Sequence, residues 1–192
     1  MIKILLITFV FLSNLTHALT GLKSGDKVPS LNDLKTTEGR SVALKDKSTI
    51  AVLVFYRGSW CPYCVTQLKS IENEVMPKIK KGVKLFAISV DSLVKAKKMK
   101  RNFKFSFDII SDPKAISLQK FKIINKVGPG LVRKYKTSYG IDIEGDSGET
   151  HHMIAHPAVY IIKEGHIIFS EVHENYKQRT KNSKILEVLS QI

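Results

Sequence analysis

The feature that most restricts this chain is an apolar run, residues 50–56, followed shortly by Cys61-Pro62-Tyr63-Cys64. A continuous apolar run of that length suits a strand buried on both faces. Beyond Cys61, the apolar residues Val65, Leu68, Ile71, Val75 and Ile79 recur at spacings of three and four until Gly82, which predicts a helix packed along one side. The cysteine pair therefore sits where a buried strand hands over to a helix. There the unpaired N–H groups of the first turn and the helix dipole favour negative charge, so a thiolate is stabilised over a thiol. A cysteine so placed can have its pKa lowered from about 8.5 to between roughly 3.5 and 7.5. Cys64 lies one turn further on, close enough to close a disulfide. The expected roles are Cys61 as an exposed nucleophile and Cys64 as a more buried resolving thiol.

Two other uses of the pair remain open at this stage. As a structural staple it would close a very short loop, worth only about 2 kcal/mol in the chain-entropy model. As half of a metal site, it would need a histidine such as His151 or His152 from a distant segment, because the chain has no other cysteine. That second use defines the alternative of another class, a metal-binding or metallochaperone module built on Cys61, Cys64 and a histidine.

The rest of the chain alternates strands and helices. Residues 21–47 are polar and turn-rich, and Thr37-Glu38-Gly39-Arg40 before 41–44 suggests a small hairpin. Residues 83–90 read as a second buried strand and 93–103 as a helix. In that helix Leu93, Val94, Met99 and Phe103 interleave with lysines as an apolar and a solvated basic face. A short strand is expected at 107–110, and Asp112-Pro113 opens another helix. Asp91 is expected to cap the helix that follows it. Residues 122–152 break the rhythm and read as an insertion, with a helical piece at 131–139 and a polar turn at 145–148. A hairpin at 158–172 turning at Glu164-Gly165 and a helix at 184–192 close the chain. Strand–helix alternation implies a parallel core, and the hairpin adds an antiparallel edge.

Lys3, the apolar run 4–12 and the small residues at Thr16 and Ala18 form the pattern of a secretory leader, predicting a signal peptide over residues 1–18. Nine residues are too few to cross a bilayer core, which takes about 20, so no stable membrane insertion is expected once the leader is removed. The mature chain, 19–192, is then expected to be exported, periplasmic or secreted, where disulfides persist. Lys and Arg outnumber Asp and Glu by 31 to 17, which favours anionic partners without naming one. No nucleic acid partner is expected.

Phe55-Tyr56-Arg57-Gly58-Ser59-Trp60-Cys61-Pro62-Tyr63-Cys64 followed by Gln67-Leu68 resembles the peroxiredoxin-like branch of the alkyl hydroperoxide reductase and thiol-specific antioxidant (AhpC/TSA) family. The segments Tyr139-Gly140-Ile141-Asp142, His156-Pro157-Ala158 and Asn175-Tyr176-Lys177-Gln178-Arg179 extend the likeness to about residues 25–192. The resemblance implies an α/β fold, a thioredoxin-like three-layer α/β/α sandwich with a central mixed sheet. It also implies thiol–disulfide exchange, or alternatively thiol-dependent reduction of hydrogen or alkyl peroxides, without a bound cofactor or metal. An external thiol or disulfide redox protein would recycle it.

By the same resemblance Pro157 is the cis proline that faces the cysteines, with His156 beside it to tune the thiolate or serve packing. Trp60 and Tyr63 frame the motif as a docking rim, and Arg57 or Arg179 supplies a cation. One departure bears on the reaction. The family places Pro seven residues and Thr three residues before its peroxide-attacking cysteine, and here those positions hold Val54 and Gly58. The missing hydroxyl leads to the expectation that disulfide exchange outruns peroxide reduction.

Overall fold

The computed structural model describes residues 21–46 and 48–192. The leader expected over residues 1–18 lies outside them. Among the described residues no helix is long and apolar enough to cross a membrane.

The apolar run becomes β1 (Ile50–Phe55), the central strand of a five-stranded sheet. β2 (Val83–Ser89) and β3 (Asp108–Ser111) extend the sheet on one side in parallel. On the other side β6 (Ala158–Lys163) pairs antiparallel with β1, and β7 (His166–Val172) pairs antiparallel with β6, giving the order β3-β2-β1-β6-β7. The sheet is mixed because its two halves are connected differently. β1 and β2, and β2 and β3, are joined by helical crossovers that return the chain in parallel, whereas β6 and β7 are joined by a two-residue turn. That turn has Glu164 at φ 53° and Gly165 at φ 76°, the left-handed pair a tight hairpin of this twist requires.

Alternation along β1 divides the core into two layers. Val52 and Val54 face α1 (Pro62–Glu74), α2 (Leu93–Phe103) and α6 (Asn182–Ser190), packing with Leu68, Ile71, Met99, Ile185 and Leu189. Ala51, Leu53 and Phe55 face the opposite layer, made of the N-terminal segment, α3 (Ile116–Lys120) and part of the insertion. Cys61 and Cys64 belong to the first layer.

Several local expectations are corrected. In α2 the buried stripe is Ala96 and Met99, while Leu93, Val94 and Phe103 face outward, because a short helix on a sheet buries only the positions on its inner side. The carboxylate of Asp112 does accept the N–H groups of Ile116 and Ser117, at 2.9 and 2.7 Å, but Pro113 stands in a turn ahead of the helix. Residues 145–148 are mostly helical. They form the end of α5 (Ile143–Ser147), whose N-cap Asp142 accepts the N–H of Gly145. The insertion holds α4 (Pro129–Tyr139) and α5, and its base is closed by β4 (Ile124–Lys126) pairing antiparallel with β5 (Met153–Ala155).

Pro157 is not cis: no described peptide bond is. Between β5 and β6 the His156 N–H donates to the Ile123 carbonyl at 2.8 Å. An X–Pro bond prefers the trans form by about 0.5–1 kcal/mol.

Candidate active site

Cys61 is the N-cap of α1, in extended conformation with no side chain capping the first turn. Its backbone carbonyl already accepts the N–H groups of Cys64 and Val65, at 3.0 and 3.1 Å. The loop that carries it, residues 56–60, is held from below. Asp91 does not cap α2, whose N-cap is Ser92. The Asp91 carboxylate accepts the Ser59 N–H at 2.8 Å and the Tyr56 hydroxyl at 3.4 Å on Oδ2, and its Oδ1 is buried with no partner among the described residues. Burial pushes the Asp91 carboxyl up to about 6, against the opposing pull of the Ser59 hydrogen bond. Gly58 owes its identity to the same loop. A Cβ there would lie 2.3 Å from Trp60 Nε1, so the indole fills the space any larger residue at 58 would need.

Both cysteines are free thiols, and both are buried: Cys61 is 1% exposed and Cys64 0%. The expected exposed nucleophile is thus corrected to one at the floor of a cavity, because Trp60, Tyr63 and the insertion close over it. The hydrogen bond from the Cys64 thiol lowers the Cys61 pKa to about 6 against the cost of burial, with Arg57 and Arg179 adding attraction. Cys64 moves the other way. Burial raises it, as does its hydrogen bond to Cys61. The two thiols are therefore shifted in opposite directions, and Cys61 is the one that ionises more readily.

The two arginines occupy different places. Arg57 is buried, with its guanidinium 4.9 Å from the Trp60 ring and 4.7 Å from the Tyr176 ring, and its Nη2 donates to the Tyr135 hydroxyl at 2.7 Å. Its backbone N–H points at Cys64 Sγ at 3.5 Å. Arg179 is half-buried and donates from Nη2 to Cys64 Sγ at 3.2 Å. Its Nη1 donates to the carbonyls of Tyr176 and Gln178 at 2.5 and 2.6 Å. Arg57, Trp60, Tyr63, Tyr135, Tyr139 and Cys61 share the walls of a cavity of about 370 Å³. Tyr63 packs edge-on against Tyr176 at 5.8 Å and is 43% exposed at the rim.

The remaining expected residues stand further off. Pro157 is buried, and its carbonyl accepts the His173 N–H at 2.9 Å, so it offers no free backbone to an incoming partner. His156 hydrogen-bonds to neither cysteine among the described residues. Burial lowers its pKa, and the Arg57 charge acts in the same direction. His151 is engaged with the Pro113 carbonyl at 2.6 Å and His152 with Glu144 at 2.6 Å, away from the cysteines. Among the described residues no group of three or more His, Cys, Asp or Glu is arranged to hold a metal ion. Sequence reasoning missed Tyr135, Tyr176 and the true role of Asp91. The only sequence cue for the first was the pair Tyr135 and Tyr139, one turn apart in a segment otherwise read as an insertion.

A cysteine capping the helix after the central strand of a mixed sheet is a thioredoxin-like α/β arrangement. The chain belongs to the AhpC/TSA family, whose model matches residues 24–170. It is 27% identical over 114 residues to the 1-Cys peroxiredoxin PER1 of Hordeum vulgare, covering 55% of this chain and 51% of that one. To the 1-Cys peroxiredoxin A of Oryza sativa subsp. japonica it is 30% identical over 118 residues, covering 57% and 51%. The chain thus spans about half the length of the curated relatives it matches. Among solved structures, a peroxiredoxin-like protein from Aquifex aeolicus superposes with a TM-score of 0.69 at 20% identity, covering 89% of this chain and 88% of that one. The peroxidoxin BcpB of Mycobacterium tuberculosis gives 0.66 at 16% identity, covering 89% and 98%.

Proposed function

We propose that the protein is a thiol-dependent peroxidase in which Cys61 attacks the peroxide and Cys64 resolves the product. The observation that carries this reading is the burial of Cys61, a sulfur whose pKa is lowered by its hydrogen bond with Cys64. At 1% exposure Cys61 is poorly placed to meet a disulfide on a folded partner, but a small peroxide can enter the cavity above it. This reverses the preference for disulfide exchange drawn from the missing threonine. The names of the relatives, 1-Cys peroxiredoxins, support the peroxidase part of this reading and say nothing for Cys64 as a resolving thiol.

In the first step the Cys61 thiolate attacks one peroxide oxygen and the O–O bond breaks. The other oxygen leaves as an alkoxide or hydroxide and takes up a proton, so the product is an alcohol or water and Cys61 becomes a sulfenic acid. Arg57 sits where it opposes charge on the departing oxygen, and its aromatic packing fixes it in advance. In the second step Cys64 sulfur attacks the sulfenic sulfur and water is lost, leaving a Cys61–Cys64 disulfide. Two electrons from an external thiol then restore the pair.

Stopped-flow oxidation of Cys64→Ser protein by hydrogen peroxide and by an alkyl hydroperoxide tests the reading. A rate constant about 10³ or more above that of a free thiolate is expected with at least one of them. A rate like that of a free thiolate, together with rapid exchange with model disulfides, would return the assignment to disulfide exchange.

We also propose that the chain is exported after loss of residues 1–18, on the strength of the short apolar run 4–12 between Lys3 and the small residues at Thr16 and Ala18. Mass spectrometry of the protein from its host should find an N-terminus near residue 19. An intact Met1 on a cytosolic species would end the proposal.

A further inference from the structure

Arg179 meets the motif at Cys64, not at the attacking sulfur. Its Nη2 donates to Cys64 Sγ at 3.2 Å. Its charge also acts on Cys61, but among the described residues neither arginine hydrogen-bonds to that sulfur. A second donor, the Arg57 backbone N–H, points at the same Cys64 sulfur at 3.5 Å. Two donors thus converge on the thiol that peroxide attack leaves untouched.

The guanidinium is held there in advance. Its Nη1 donates to the carbonyls of Tyr176 and Gln178, at 2.5 and 2.6 Å, which fixes the planar group on the chain that leads into α6. A donor fixed in this way needs no rearrangement when charge develops beside it. Hydrogen bonds of this kind favour the charged form of their acceptor over the neutral one, so the pair of donors does most for a Cys64 sulfur that carries negative charge. In the resting protein burial opposes that charge, with Cys64 at 0% exposure. Cys64 takes it on only when it attacks.

We propose that Arg179 is a catalytic residue of the resolving step, stabilising the Cys64 sulfur as it attacks the sulfenic acid on Cys61. The role rests on the peroxidase reading, which supplies that sulfenic acid. In the step the Cys64 S–H bond and the Cys61 S–O bond break, an S–S bond forms, and the thiol proton joins the departing hydroxyl as water. The Cys64 sulfur is oxidised and the sulfenic sulfur reduced, both to the disulfide level. The proton has a short path, because the Cys64 thiol already hydrogen-bonds to Cys61. Where resolution is slow, a second peroxide oxidises the sulfenic acid to sulfinic acid and is itself reduced to an alcohol or water. Arg179 thereby sets the balance between disulfide and sulfinic acid.

Rapid quenching followed by mass spectrometry separates the steps, since sulfenic acid, disulfide and sulfinic acid differ in mass. In Arg179→Gln the rate constant for disulfide formation, relative to that for sulfenic acid formation, should fall about tenfold to a hundredfold, as loss of a hydrogen bond to a charged group implies. Arg179→Lys should regain part of the loss, and sulfinic acid should appear in Arg179→Gln at lower peroxide than in the parent. Cys64 is faced by Cys61 on its own helix, by Tyr56 and Arg57 from the loop after β1, and by Arg179, with His173 beside Arg179. Of these only Arg179 changes in the variant, so the pH midpoint of the resolving rate should rise by about one pH unit or more. An unchanged ratio, or equal slowing in both variants with an unmoved midpoint, would overturn the proposal.

Methyl methanethiosulfonate, which places a methylthio group on Cys61, poses the same attack without peroxide: Cys64 closes the disulfide and methanethiol leaves with the thiol proton. Release should be slower in Arg179→Gln by a similar factor. Slower release together with free-thiolate rates towards every peroxide would uphold Arg179 as the group that activates Cys64 and overturn the peroxidase reading alone. Release at the parent rate would overturn the role of Arg179 whatever the peroxide rates.

Discussion

Two regions meet at Cys61, and they are built on different terms. The segment from β1 through α1 is local: strand, loop, cysteine cap and helix follow one another in the chain, and the helix terminus acts on the sulfur it begins with. The insertion from β4 to β5 is remote in sequence. It reaches the site only because β4 and β5 pair and close its base, which swings α4 over the motif. The first region makes the thiolate. The second roofs it, through the Tyr135 hydroxyl on Arg57 and the Tyr135 and Tyr139 rings in the cavity wall. Reactivity and access are therefore separable in this protein, and substitutions in the two regions should have different signatures.

The largest effect belongs to the local region. Cys61→Ser should remove peroxide turnover altogether. Cys64→Ala should keep a reactive Cys61 whose alkylation midpoint moves up from about 6, because the hydrogen bond from Cys64 is the foremost cause of its low value. Rates of iodoacetamide labelling against pH measure this, and a midpoint that stays put would assign the low value to the helix terminus instead.

Next comes Asp91, which anchors the motif loop. Its pKa of about 6 lies above the ordinary 3.8, so the folded protein keeps this proton where the unfolded chain has lost it. That stabilises the fold below about pH 4, and the contribution is lost as pH rises through 6. A proton held across a window of about two pH units is worth ~3 kcal/mol. Asp91→Asn should therefore flatten the fall in stability between pH 4 and 6 expected of the parent protein. Denaturant titrations across that range decide it, and parallel curves for the two proteins would contradict the buried carboxyl as its source.

Gly58→Ala should be smaller, at about 1–3 kcal/mol, since the new Cβ would drive Trp60 from its place in the wall. The chain has one tryptophan, so its fluorescence reports the displacement directly. An unchanged emission maximum would mean the loop had yielded instead. Smallest is Tyr135→Phe in the insertion, which removes one hydrogen bond to Arg57. We expect a loss of about 1 kcal/mol, or about fivefold in the peroxide rate, with the Cys61 alkylation midpoint unmoved. A shift in that midpoint would show that the roof also tunes the sulfur and would blur the distinction between the two regions.

The order of elements and the position of the cysteine pair between β1 and α1 were legible in the amino-acid sequence. Both are written in short-range terms: the apolar run at 50–56, the three-and-four spacing after Cys61, and Glu164-Gly165 in a turn that needs two left-handed residues. The roles of Asp91, Tyr135 and Tyr176, and the contact of Arg179 with Cys64 rather than Cys61, emerged only from the packing of the whole chain. So did the trans bond at Pro157, the outward facing of Leu93 and Val94, and the burial of Cys61. Arg179 and Cys64 are 115 residues apart, and Asp91 lies 32 residues beyond the Ser59 N–H it accepts. Such contacts follow from which strand lies beside which and where an insertion folds back. Periodicity and capping, which act over a turn or two of chain, carry no record of either.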